Sequence, residues 1–164
     1  MSAISAVHLE QLITEWRGRA SPLIERSPSG LVYKECAAQL ERVLADGEVR
    51  DVFVYGTLCP GQNRWPSLEQ FAAAVTLDTV VGQLYDTTLG FPAAVITEPG
   101  TVPGYTVTMK EGEADLGFAV LDRIEGHPDA YMRSIVITGN GTRAWVYHWP
   151  WDTSKWTRIE RWIA

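Results

Sequence analysis

Val52-Phe-Val-Tyr-Gly-Thr-Leu-Cys-Pro-Gly-Gln-Asn63 is the stretch on which the reading of the chain turns. Val52 to Tyr55 are aromatic and β-branched residues that suit a buried strand. The strand then gives way at once to Gly56, Thr57, Cys59, Pro60 and Gly61, which are small or turn-forming. A strand ending in a glycine-led loop presents backbone N–H groups in a concavity where no Cβ blocks a ligand. Amide clusters of that kind hold phosphate or carboxylate. An ordinary strand and tight turn would use the same residues, so the loop gains meaning only with a partner. That partner is Glu125.

The second stretch is Leu121-Asp-Arg-Ile-Glu-Gly-His-Pro-Asp-Ala-Tyr-Met-Arg133. Glu113–Ile124 has the period of a helix, with Leu116, Ala119, Val120 and Ile124 on one side. Glu125 falls at its end, before Gly126 as a left-handed cap. The carbonyl-rich end of a helix disfavours another negative charge. A carboxylate there, partly desolvated, should hold its proton more tightly and be a better proton acceptor. On local grounds an exposed cap residue without a role competes with that reading.

Outward from these two stretches, the chain divides near residue 49. Residues 1–48 contain two amphipathic segments, Leu9 to Trp16 and Tyr33 to Leu44, separated by a Ser/Pro-rich turn, which predicts an N-terminal helical hairpin. Residues 49–164 are strand-rich. Ser67 and Gln70 form a capping box for a short helix through Phe71 to Val75. Thr79–Tyr85 is a strand interrupted by Gly82, where a bulge or close backbone approach is expected. Phe91–Ile96 and Val102–Met109 follow as strands. Tyr131–Thr138 and Thr142–Trp149 flank Gly139-Asn-Gly141, a strong hairpin signal. Trp156–Trp162 fits either strand or helix. Many short strands with two inserted helices give an α+β class with a closed or nearly closed sheet.

Composition narrows the function. The 164 residues are 46% hydrophobic and 21% charged, as in a folded globular chain. The net charge of −6 comes without a Lys/Arg cluster, which argues against nucleic acid. No apolar run reaches the length of a membrane span, and the first residues lack the regions of a signal peptide. Cys36 and Cys59 are read as free thiols in a reducing cytoplasm. Cys59 is a poor candidate nucleophile, because none of the three histidines is linked to it. His127, Asp129 and His148 lack the spacing of a metal site. The Trp145, Tyr147, Trp149 stripe has strand period and is expected to pack against the tail or the N-terminal segment.

Paired, the motifs Tyr55-Gly56-Thr57-Leu58 and Leu121-Asp-Arg-Ile-Glu-Gly126 resemble those of the γ-glutamylcyclotransferase family. Gly61, Asn63, Gly82-Gln-Leu-Tyr85, Gly90-Phe-Pro-Ala-Ala-Val95, Val102-Pro-Gly104, Tyr131-Met-Arg133 and Ala144-Trp-Val-Tyr147 extend the likeness in family order. Pro60-Gly-Gln-Asn63 and Pro128-x-x-Tyr131-x-Arg133 are similar to its γ-glutamylamine cyclotransferase-like branch. The resemblance implies a small mixed β-barrel flanked by short helices, with a cavity at one end. It implies that the amides of Tyr55, Gly56, Thr57 and Leu58 hold the α-carboxylate of a γ-glutamyl group, and that Glu125 takes a proton from its α-ammonium. The freed amine then closes on the γ-carbonyl, giving 5-oxoproline and a released amine, without metal or other cofactor. Tyr131 could orient Glu125 or touch substrate, and a barrel-wall tyrosine fits equally. Arg133 is expected in a structural ion pair. The expected partner is a small γ-glutamyl molecule, and the expected assembly a monomer or homodimer. The alternative is a catalytically silent binding or interaction module on the same fold.

Overall fold

The computed structural model describes Cys36 and residues 49–162. The N-terminal helical hairpin expected from the sequence lies outside the described residues, and the chain divides into two units between Glu48 and Val49. All that follows concerns the second.

Its elements run β1 (Asp51–Val54), α1 (Trp65–Glu69), β2 (Ala72–Val81), β3 (Gln83–Asp86), β4 (Pro92–Val95), β5 (Thr101–Met109), α2 (Ala114–Glu125), β6 (Met132–Ile137), β7 (Arg143–His148) and β8 (Thr157–Ile159). Five strands form one sheet in the order β2-β5-β1-β7-β6, and three form another in the order β4-β3-β8. β1 pairs antiparallel with β5 and parallel with β7. The two classes of element make a mixed α+β fold.

β1 is apolar without alternation because both of its faces are covered. Val52 and Val54 enter a core with Leu68 of α1 and Leu121 of α2. Phe53 and Tyr55 enter a second core with Leu84 of β3, Ala94 of β4 and Val146 of β7. Helices thus cover one face of the five-stranded sheet, and the small sheet covers the other.

The expected barrel is not closed among the described residues. Gly82 is where the expected strand divides: Thr79–Val81 stays in the large sheet and Gln83–Tyr85 crosses to the small one. The glycine has φ +150°, and a Cβ there would stand 2.9 Å from the Val95 carbonyl and 3.2 Å from the Ile96 Cα. Close approach of another backbone, expected at this position, is what the glycine permits. The sheets meet again where the Trp149 N–H donates to the Ala94 carbonyl over 2.8 Å.

The Ser67/Gln70 box is not formed. The helix starts two residues earlier, with a proline in its first turn, and ends at Glu69. Alanines 72–74 join Val75 in β2, paired with β5 across a register shift. Helix propensity in that run yields to a long edge pairing, a common tertiary override. In α2 the buried face is Ala114, Gly117, Phe118 and Leu121, and Leu116 stands exposed. The ambiguous tail resolves as strand, β8 pairing with β3.

The Asn140 hairpin forms as expected between β6 and β7. Its turn is pinned by Asp78 of β2, a carboxylate 8% exposed. Thr106 Oγ1 donates to it over 2.7 Å, the Thr79 amide over 2.8 Å and the Asn140 amide over 3.0 Å. Thr138 adds a fourth bond. Burial alone would raise this carboxyl, but the bonds together hold it below the usual range.

Candidate active site

A cavity of about 240 Å³ opens where the loop after β1, the end of α2, the start of β4 and the residues before β6 converge. Tyr55, Gly56, Thr57, Leu58, Glu125 and Tyr131, far apart in sequence, all line it, together with Arg64, Pro92, Arg123 and Tyr147.

The loop presents its backbone because its side chains are engaged elsewhere. Tyr55, Thr57 and Leu58 are all buried. The Tyr55 hydroxyl donates to the Tyr147 carbonyl over 2.7 Å, and burial pushes its pKa well up. The Gly56 carbonyl accepts from the Cys59 N–H at 2.9 Å and the Thr57 carbonyl from the Arg64 N–H at 3.0 Å. Among the described residues, the Gly56, Thr57 and Leu58 N–H groups have no such partner. Gly56 is required for a reason the sequence concealed: a Cβ would lie 2.6 Å from Pro92 Cγ. The glycine admits the proline ring rather than clearing room for a ligand.

Glu125 ends α2, and Gly126 caps the helix in the left-handed region, as its position suggested, with its N–H on the Asp122 carbonyl. Among the described residues, no donor stands within hydrogen-bond distance of the Glu125 carboxylate. Burial pushes its pKa up to about 7, opposed by the charge of Arg64. The direction is the one expected, and of the two causes named for it, the helix end and partial desolvation, burial is the one that acts. Tyr131 does not donate to Glu125. Its hydroxyl reaches the Pro92 carbonyl at 2.7 Å and so ties β4 to the cavity wall. Burial, and next the charge of Glu125, raise its pKa.

One turn before Glu125, Asp122 accepts from the Tyr147 hydroxyl at 2.6 Å and forms an ion pair with Arg133, whose Nη1 lies 3.2 Å away. The Arg133 guanidinium lies 4.8 Å from both the Phe118 and Trp145 ring centres. This network bolts the last turn of α2 to β6 and β7 and thereby sets the position of Glu125. Arg133 makes the structural ion pair expected of it. Asp122 was quoted in the motif without a role, and Tyr147 was expected only in the aromatic stripe packing on the tail or the N-terminal segment, whereas it sits in the core and donates to Asp122. The signal available was Asp122 standing one helical turn from Glu125. Arg64 and Arg123 were not singled out, and only the fold shows that they border the cavity.

Burial pushes the Cys59 thiol up to about 12, which keeps it protonated and a poor nucleophile. His127 Nδ1 sits 3.1 Å from the Tyr131 carbonyl and His148 Nε2 2.9 Å from Ser134 Oγ. No group of three metal-ligating side chains converges among the described residues. Trp149 of the aromatic stripe packs on Trp156 of the tail with ring centres 5.0 Å apart. Among the described residues no helix is long and apolar enough to cross a membrane.

The sequence profile of the family described as gamma-glutamyl cyclotransferase, AIG2-like, matches residues 52–163. The chain belongs to that family. Its fold is similar to that of an uncharacterized protein of Pyrococcus horikoshii, with 23% identity over 69% of this chain and 86% of the other, at a TM-score of 0.51. An AIG2-like protein of Mus musculus shares 20% identity over 71% of this chain and 90% of its own, at a TM-score of 0.50. A uropathogenic E. coli-specific protein shares 17% over 70% and 90%, at 0.52. At these identities the likeness is one of fold. No curated protein matches the chain.

Proposed function

We propose that this protein is a γ-glutamylcyclotransferase that converts a γ-glutamyl amine or γ-glutamyl amino compound into 5-oxoproline and the free amine in the cytoplasm. The observation that carries this reading is a largely desolvated carboxylate, Glu125, that has no hydrogen-bond donor among the described residues and shares its cavity with three loop amides that have no acceptor there. The amides of Gly56, Thr57 and Leu58 receive the substrate α-carboxylate, and Glu125 receives a proton from the α-ammonium. The amine nitrogen then bonds to the γ-carbonyl carbon and closes a five-membered ring. As the tetrahedral centre collapses, the bond to the leaving nitrogen breaks and that nitrogen takes the first proton back from Glu125; the second proton on the ring nitrogen then passes by way of Glu125 to the departing amine, which leaves as an ammonium. Atoms and charge balance without a co-reactant.

The raised pKa is what makes the step feasible. An α-ammonium titrates at about 8 or above, the more so beside a free α-carboxylate. Proton transfer to an ordinary Glu, with a pKa of 4.5, would be uphill by at least about 5 kcal/mol. To one near 7 it is uphill by at least about 1 kcal/mol. Since both reacting groups belong to one molecule, the remaining work is folding the substrate into an attacking geometry. The base must be ionised, so kcat/KM should rise with pH through about 7 and then level.

The test is 5-oxoproline release from a panel of γ-glutamyl compounds, with wild type beside Glu125→Gln. Turnover by wild type and its collapse in the variant are expected. Ligand binding without any turnover would instead favour a binding module on this fold.

A further inference from the structure

Beside Glu125, the cavity is bordered by two more charges, and both are positive. Arg64 and Arg123 line it, and among the described residues no second carboxylate does. Arg64 follows the loop, and its Nη1 reaches across to the Ile124 carbonyl at 3.4 Å, next to Glu125. Arg123 stands in the last turn of α2. Both are exposed, and among the described residues neither guanidinium has an ion-pair partner.

A lone exposed arginine is ordinary. Two from separate elements, converging on one cavity mouth, make a local positive field and offer forked donors that fit a carboxylate. The substrate half already placed leaves them unused. Its ammonium faces Glu125 and its α-carboxylate faces the loop amides, so that half is matched within itself. What remains at the mouth is positive, and only the leaving half of the substrate can answer it.

We propose that Arg64 and Arg123 form an anion subsite that selects substrates whose leaving amine carries its own carboxylate, favouring γ-glutamyl amino acids over γ-glutamyl amines that lack an acid group. This rests on the cyclotransferase reading and adds the substrate class. Ring closure is unchanged, and the released amine departs as an amino acid whose carboxylate the arginines held.

The experiment compares γ-glutamylalanine with γ-glutamylalaninamide, which differ by one charge and little in shape. Wild type should turn over the acid about 10- to 100-fold better in kcat/KM, chiefly through KM, as expected for a charge-assisted contact. Arg64→Met should bring the two substrates within about threefold of each other, and Arg123→Met should narrow the gap less. Arg64→Lys should restore part of it, which also separates lost charge from lost folding. Any change that Arg64 imposes on Glu125 is common to both substrates and cancels in the ratio. Equal or better turnover of the amide by wild type, or a ratio unmoved in both methionine variants, would overturn the subsite and leave the cyclotransferase standing. If neither compound is turned over, the cyclotransferase reading falls. Calorimetry of the same two compounds on wild type then decides the subsite: tighter binding of the acid, lost in Arg64→Met, retains it, and equal or absent binding removes it.

Discussion

Two carboxylates drawn out of water in this molecule, Asp78 fully and Glu125 for the most part, have been treated in opposite ways. Asp78 lies under the hairpin turn with four hydrogen bonds on its oxygens, and they hold its pKa low despite burial. Glu125 is largely withdrawn from water with no such bonds among the described residues, and its pKa rises to about 7. Burial pushes both in the same direction, so the difference is made by donors. A charge surrounded by donors is a fastener, fixed in one ionisation state. Without donors, and poised near neutrality, a carboxylate is available to take and return a proton.

Exchanging either side chain should expose the contrast. Glu125→Gln should lower kcat/KM for 5-oxoproline release about 10²- to 10⁴-fold, the range of a lost general base, in a steady-state assay at pH 8. Asp78→Ala should leave the folded enzyme's kcat/KM within about twofold, and lower stability in urea by about 3 kcal/mol, because several buried donors lose their acceptor. If activity collapsed before stability did, the division of labour between the two carboxylates would be broken.

The pH dependence of stability sharpens the same contrast with opposite signs. Glu125 binds its proton more tightly when folded than its ordinary value of 4.5. Its contribution is therefore greatest below about 4.5 and is lost as pH rises to about 7. Glu125→Gln should match wild type near pH 4.5 and exceed it at pH 8 by up to about 3 kcal/mol in denaturant titrations. Asp78 is depressed when folded, so its contribution holds above its ordinary value of 3.8 and fades as pH falls below it. The smallest effect belongs to the cavity wall. Tyr131→Phe should lose about 1 kcal/mol of stability, by leaving the Pro92 carbonyl without its donor, with only a few-fold change in turnover.

Local chemistry carried much of this into the sequence. β1, the loop after it, α2 with its Gly126 cap and the Asn140 hairpin are each specified by neighbours within a few positions, and each was legible. Alanines 72–74 were misread because their strand is imposed by β5, some thirty residues later, and nothing local announces it. Barrel closure was misjudged for a related reason. The Gly82 break was visible, but whether the chain continues in one sheet or crosses to another depends on where Val95 and Ile96 lie. At the cavity, the motif residues could be paired by resemblance. The tie between Asp122 and Tyr147 and the approach of Arg64 to the end of α2 depend on three-dimensional placement. The role of Gly56 was hidden too, since its steric partner is Pro92 on another strand.

The placement of β1 also fixes when the cavity can exist. A polypeptide made from its N-terminus produces β1 and its loop before either flanking strand, because β5 comes much later and β7 later still. Tyr55 has no acceptor for its hydroxyl until Tyr147 has been added. Glu125, its helix and the hairpin that bolts it are likewise absent from a short nascent chain. Released fragments ending before β7 should therefore be inert, and catalytic competence should arise in one late step of synthesis rather than by degrees.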